Sequence, residues 1–307
     1  MNLVQLYNKL CCVSQWSIGF SEGNIQEIIR DKNCSLTFKW LPLTDNFTSI
    51  ADPFIFRGLK GELNLLYEDF SMVDDKKYGK IYLASLDKDF TITDTKKVLD
   101  TTSHSSYPFI FFENGITYII PETSAKRKVS AFEYDYASKS LINEKVLIDN
   151  LPLLDSTVFK HNGKYWLFAT LAENGFDHSR LYIYYADNLF GNYTPHKHNP
   201  VKNSLDGTRP AGNVIFVNGD IYRPTQNCNQ HYGESISISK IVSLSENEFS
   251  EDFYFKISPQ KRSLFNAGVH TINVIDNVIV IDGIKMLFKP LTKWKLYLKK
   301  KFKNKAS

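Results

Sequence analysis

The stretch "ADPFIF", residues 51–56, sets a carboxylate and a proline directly before three apolar residues of strand-forming type. Nothing in Phe54-Ile55-Phe56 suits a solvent face, so the run predicts a buried strand with Asp52 at its mouth. The pattern returns as "SYPFIFF" at 106–112, "LDSTVFK" at 154–160, "RPAGNVIF" at 209–216 and "NAGVHTINV" at 266–274. A turn and a second strand follow each one, and Asn-Gly pairs at 114–115, 162–163 and 218–219 are strong hairpin signals. Further strand-like runs complete the first four units: "GKIYLASLD", "KVSAFEYDY", "SRLYIYYAD" and "ESISISKIVSL".

The unit starts Asp52, Tyr107, Asp155 and Arg209 are 55, 48 and 54 residues apart. Five units of about four strands each predict an all-β fold, a five-bladed β-propeller. The inner strand of each blade lines the central channel of such a fold. Asp52, Tyr107, Asp155, Arg209 and the segment from Asn266 to His270 should therefore converge on one funnel. Domain bounds are expected at 1–15 for an N-terminal segment, 16–284 for the propeller and 285–307 for a basic tail.

Composition agrees with a large β core: 307 residues, 43% apolar and 14% aromatic, with 17 Tyr and 22 Phe. Four cysteines, Cys11, Cys12, Cys34 and Cys228, give neither a disulfide framework nor a metal-binding spacing and suit a reducing compartment. No signal peptide or spanning segment is evident, so a cytoplasmic location is expected. The net charge of +4 conceals an asymmetry, because residues 285–305 hold nine lysines and no acid, leaving −5 on residues 1–284. A mildly acidic body argues against a nucleic-acid partner.

Taken together, "WSIGF" at 16–20, "ADPF…LYEDF…GKIYLASL", "SYPFIF…YIIPET", "DSTVF…GKYWLFAT", "RPAG…YRPTQNC…YGESI" and "AGVHTIN" carry a family resemblance. The chain resembles the five-bladed propellers of glycoside hydrolase family 43 and its relatives. More closely, it is similar to the N-terminal propeller domain of plant glucosamine inositolphosphorylceramide transferases and to bacterial polysaccharide-cluster proteins. The resemblance covers residues 16 to 282 and implies a five-bladed fold and sugar chemistry, with the reaction left open.

Glycosidic chemistry needs a carboxylate to activate the attacking hydroxyl and a carboxylic acid to protonate the leaving oxygen. The resemblance implies that Asp52 is the base and Asp155 the carboxylate that raises and orients the acid. Either side chain could instead cap the turn into its strand. Candidates for the acid are Glu234, Glu122 and Glu68; the relatives place it near blade four, which favours Glu234, although no "EGP"-like context surrounds it. Arg209 and Arg223, with His270, would suit a sugar-nucleotide diphosphate or an anionic sugar. Each arginine could alternatively pair with a rim carboxylate such as Asp155 or Asp52. Gln226, Asn227 and Tyr107 are candidate readers of hydroxyls. No metal-binding motif, GxGxxG, P-loop or nucleophile elbow occurs, so neither metal nor cofactor is expected.

The tail changes character. Beyond Pro290, the residues Leu291, Trp294, Leu298 and Phe302 form one helical stripe among lysines. Residues 285–305 thus predict an amphipathic helix on an anionic membrane surface, at the inner face of the cell membrane. The leading expectation is a glycosyltransferase of cell-surface polysaccharide or glycolipid synthesis, acting on a sugar or sugar nucleotide and a lipid-linked or glycan acceptor. The alternatives are a family-43-like hydrolase and a non-catalytic glycan-binding scaffold.

Overall fold

A computed structural model describes residues 7, 10–43, 48–71, 78–173 and 177–303, with the backbone alone for 299–303. Five antiparallel sheets form the blades of a propeller. Blade one comprises Thr48–Arg57, Leu63–Ser71, Lys80–Leu86 and Ile92–Leu99; blade two comprises Ser106–Glu113, Ile116–Glu122, Lys128–Asp135 and Ser140–Asp149. Blade three runs through Leu153–His161, Lys164–Leu171 and Arg180–Ala186, edged by Thr194–Pro195 and Lys202–Asn203. In blade four the inner strand is split into Asp206–Pro210 and Ile215–Val217, followed by Asp220–Asn227, Ser235–Leu244 and Phe249–Ile257.

Blade five joins the two ends of the chain. Its inner strands are Ile272–Ile275 and Val278–Phe288, and its outer strands are Cys12–Glu22 and Lys39–Trp40. Pairing between Cys12–Glu22 and Val278–Phe288 runs without a register shift from Cys12 opposite Phe288 to Glu22 opposite Val278. The expected bounds at 15/16 and 284/285 fall inside this ladder, because the strands continue for as long as they can satisfy each other's backbone groups. Between the outer strands lies a short helix, Ile25–Asp31, absent from the sequence reading. Asn24 Oδ1 accepts from Gln26 N to cap it, and Ile28 and Ile29 are buried.

The apolar runs are explained by packing on both faces of each blade. Alternate side chains of a strand point to opposite faces. Phe54 and Phe56 join the core shared by blades one to three, while Ile55 between them packs in the seam of blades five and one. Val158 and Phe159 divide in the same way between two seams, as do Ile279 and Ile281 against Val278 and Val280.

Inside the channel, Tyr107 of blade two is fully buried. Its hydroxyl reaches blade four, accepting from Gly212 N at 2.8 Å and lying 2.8 Å from Thr157 Oγ1. Blades four and five meet at Gly212, which has φ +131°, and a Cβ there would stand 1.9 Å from the Ile272 carbonyl oxygen. Gly212→Ala should therefore lower the unfolding free energy by about 2–4 kcal/mol, read from urea denaturation. Gly115→Ala is the control, since Gly115 also has positive φ but nothing lies within 4 Å; it should cost only about 1 kcal/mol. Equal losses in the two variants would show that the close approach is unimportant.

Candidate functional site

One backbone device builds the site. In blades one, two and three the inner ladder shifts register at the same point, between Ala51 and Phe54, Ser106 and Phe109, and Leu154 and Thr157. Within these bulges Asp52, Tyr107 and Asp155 take left-handed φ values of 51°, 43° and 51°. A bulge re-aims the side chain it carries, and a non-glycine residue holds this conformation only where its surroundings over-determine it. In blade four the left-handed positions fall on Gly207 and Gly212 instead.

Asp52 sits in a buried network with blade five. Its Oδ1 accepts from Thr271 Oγ1 at 2.8 Å, and its Oδ2 accepts from Tyr107 N at 3.1 Å. The fully buried Asp282 accepts the backbone N–H of Asp52, of His270 and of Thr271 at 3.2, 2.9 and 3.0 Å. His270 lies between the two carboxylates, with Nδ1 2.5 Å from Asp282 Oδ2 and Nε2 3.6 Å from Asp52 Oδ1. Its ring packs on Trp16, centroid to centroid at 4.1 Å. Ligand-type atoms of Asp52, His270 and Asp282 lie within 4.8 Å of one another, so these three residues could hold a metal ion.

A second cluster faces it. Asp155 receives Arg209 on both oxygens, from Nε at 2.5 Å and Nη2 at 3.3 Å, and Gln226 Nε2 at 3.0 Å. Arg209 Nη1 is 3.0 Å from His178 Nδ1, and Nη2 is 3.9 Å from Glu122 Oε2. The guanidinium also lies over the Tyr232 ring at 5.3 Å. Glu122 accepts from Ser106 Oγ and Ser124 Oγ. Glu68 Oε1 lies 3.2 Å from Nε2 of the half-exposed His104, whose Nδ1 accepts from Gly79 N.

Crowding and burial split the protonation states. Burial, with the charges of Asp155 and Asp282, pushes the Asp52 carboxyl up to about 6, against the pull of His270. Burial raises Glu68 well above the usual carboxylate range, and nearby Asp52 and Glu122 add to it. Glu122 is raised by burial and by Asp155, with Arg209 opposing. Burial disfavours the His270 cation, but Asp282 and Asp52 outweigh it and raise its pKa. Burial and the Arg209 charge lower His178, so a neutral imidazole can accept from the guanidinium.

Residues 37–275 match the family described as glucosamine inositolphosphorylceramide transferase 1, N-terminal. The chain belongs to this family. The protein of Arabidopsis thaliana named glucosamine inositolphosphorylceramide transferase 1 is 35% identical over 216 residues, covering 68% of this chain and 27% of that protein. Its namesake in Oryza sativa subsp. japonica is 34% identical over 208 residues, with 66% and 27% covered. This transferase-family segment thus spans about a quarter of the length of those relatives. The fold is also that of glycoside hydrolase family 43. A β-1,3-galactosidase of that family solved with galactodeoxynojirimycin gives a TM-score of 0.55 at 8% identity over 70% of this chain and 81% of that one. An exo-β-1,3-galactanase from Clostridium thermocellum gives 0.54 at 13% identity over 73% and 55%.

In this family member the fold gathers Asp52, Glu68, Tyr107, Glu122, Asp155, Arg209, Gln226 and His270 around the channel. Arg209 adopts the alternative role raised for it, pairing with Asp155. Arg223 is not brought to the site: its guanidinium forks onto Glu251 at 2.8 and 2.7 Å and caps the Gly207 carbonyl at 2.6 Å. The Glu234 carboxylate accepts from Gln230 N in its own loop, and no bond joins it to the Asp52 or Asp155 cluster among the described residues. Asn266 is exposed and bonds the Lys261 carbonyl, so only the His270 end of its segment enters the channel.

Asp282, His104, His178, Tyr232 and Trp16 escaped the sequence reading. For Asp282 a signal existed, a single acid within the apolar run "VIVIDG" of a buried strand. Asp282 and Trp16 both lie outside the matched segment.

The raised Asp52 pKa fixes a sign. Its folded value of about 6 exceeds the ordinary 3.8, so its contribution to stability is present below pH 3.8 and is lost as pH rises through about 6. Urea denaturation across this window should show the wild type losing on the order of 2 kcal/mol relative to Asp52→Asn. Parallel curves for the two proteins would refute the assignment.

Proposed function

We propose that this chain takes part in glycosyl transfer during glycolipid or cell-surface polysaccharide assembly, binding a sugar unit at the channel mouth. The relatives' names support the reaction class. The observation that carries the reading is the mixed protonation of one carboxyl cluster. Asp52, with a pKa of about 6, is ionised at neutral pH yet more basic than an ordinary carboxylate, suited to take the proton of an acceptor hydroxyl. Glu68 and Glu122, pushed up by burial, are suited to donate to the glycosidic oxygen or a sugar hydroxyl. Asp155 holds Arg209 in place. With Arg223 committed to Glu251, a donor phosphate would meet Arg209, with His270 beside Asp52, rather than two arginines.

Family-43-like hydrolysis is the second reading, because a carboxyl pair of unequal protonation serves water as well as a sugar hydroxyl. Against it, blade four sends Arg209 and Gln226 into the channel, and the Glu234 carboxylate accepts a bond within its own loop. Calorimetry with UDP-, GDP-, CMP- and dTDP-sugars, and with simple glycosides, separates the two. Transfer predicts that the wild type binds a nucleotide sugar, and that Arg209→Lys weakens binding at least about tenfold, or 1.4 kcal/mol. Loss of the fork on Asp155 should also lower the melting temperature, so binding is compared at a temperature where both proteins remain folded. Glycosides bound and cleaved, with cleavage lost in Asp52→Asn, would instead establish hydrolysis. Silence from both ligand sets would leave a scaffold.

A further inference from the structure

We infer that the C-terminal helix docks the propeller on an anionic lipid bilayer with the channel mouth turned towards the membrane surface. The helix Pro290–Lys303 follows blade five directly, and its first turn is tied back by Lys293 N to the Lys289 carbonyl. Lys289 N in turn donates to the Cys11 carbonyl, fixing the helix start to the neighbouring strand at the same end of the blade. No described helix is long and apolar enough to cross a membrane, so surface attachment is the form that fits.

Two features select a bilayer as the occupant. Leu291, Trp294 and Tyr297 on the helix are 76, 62 and 60% exposed, and so, just before and beside it, are Phe288 at 59%, on which Tyr7 stacks, and Leu10 at 60%. Such a run of large apolar side chains is costly in water and suits the boundary between head groups and acyl chains. In sequence, residues 285–305 carry nine lysines and no acid, while the rest of the chain is acidic. That charge complements anionic lipid and is repelled by nothing on its own segment.

Strand direction decides which end of the propeller faces the lipid. Site residues lie near the starts of the inner strands and towards the ends of the second strands: Glu68 is beside Ala51, and Glu122 beside Ser106. In blade five the second strand leaves the far hairpin at Val278, passes Asp282 at the site, and continues six residues to Phe288. At about 3.3 Å per residue the strand climbs about 20 Å beyond Asp282, on the mouth side, before the helix begins. The partly exposed His104 and Tyr232 belong to that same end. A membrane-anchored sugar would thus enter the channel from the surface on which the protein sits. This orientation rests on the sugar-site reading above, whereas the docking itself does not.

The test is co-sedimentation of the full chain with vesicles of phosphatidylcholine, with and without phosphatidylglycerol. Binding should require the anionic lipid and weaken in high salt. It should fall at least about tenfold in the double variant Leu291→Glu, Trp294→Glu, with the melting temperature and sugar binding unchanged. Equal binding to neutral vesicles, or an unaffected double variant, would overturn docking. So would capture by single-stranded RNA without any capture by vesicles. Hydrogen exchange on vesicles reads the orientation: amides of 229–234 should gain protection, and the hairpins at 161–164 and 217–220 should not. Protection of those hairpins would reverse the orientation while leaving the docking result standing.

Discussion

The carboxylate of Asp282 is the constraint on which the rest of the structure depends. It has no exposure to solvent and gathers three backbone N–H groups from two blades, those of Asp52 in blade one and of His270 and Thr271 in blade five. A buried carboxylate is expensive unless such donors and a cation satisfy it. Here they do so at the place where the first blade meets the last. The same contacts that hold the ring closed also fix the backbone of Asp52 in its left-handed bulge. Fold closure and placement of the proposed base are one interaction.

Arg209 plays the corresponding part across the channel. Its fork on Asp155, its contact with a neutral His178 and its place over Tyr232 leave a cation fully engaged yet at the mouth. Arg223, one strand further on, forms an equally complete fork with Glu251, but it does so between strands of blade four and contributes packing rather than chemistry. The two arginines look alike as sequence. They differ because successive side chains of a strand point to opposite faces: Gln226 reaches Asp155 in the channel, and Arg223, three residues before it on the same strand, points the other way onto Glu251.

Stability and function pull against each other in this cluster. Asp52, Glu68 and Glu122 all have carboxyls raised by burial, so each is held in a state that water would not favour. Their cost is offset by the apolar seams between blades, where both faces of every inner strand are packed. Concentrating perturbed acids at one point of a rigid scaffold is how functional sites are commonly built.

The sequence by itself determined the number of blades, the buried strands and the convergence of Asp52, Asp155 and Arg209. Strand period and turn chemistry are local properties, and "ADPFIF" with its four echoes displays them in every unit. It did not determine which acids would be driven towards the neutral form, because that depends on burial and on charges brought from other blades. Asp282 illustrates the divide: its isolation in "VIVIDG" was visible, but its partners Asp52 and His270 are 230 and 12 residues away. The fate of Glu234, turned into its own loop, and of Arg223, turned onto Glu251, was likewise settled only when the sheets assembled. Closure of blade five by Cys12–Glu22 against Val278–Phe288 belongs to the same class. Pairing between the two ends of a chain leaves no periodic mark in the residues that make it; only the tertiary structure brings them side by side.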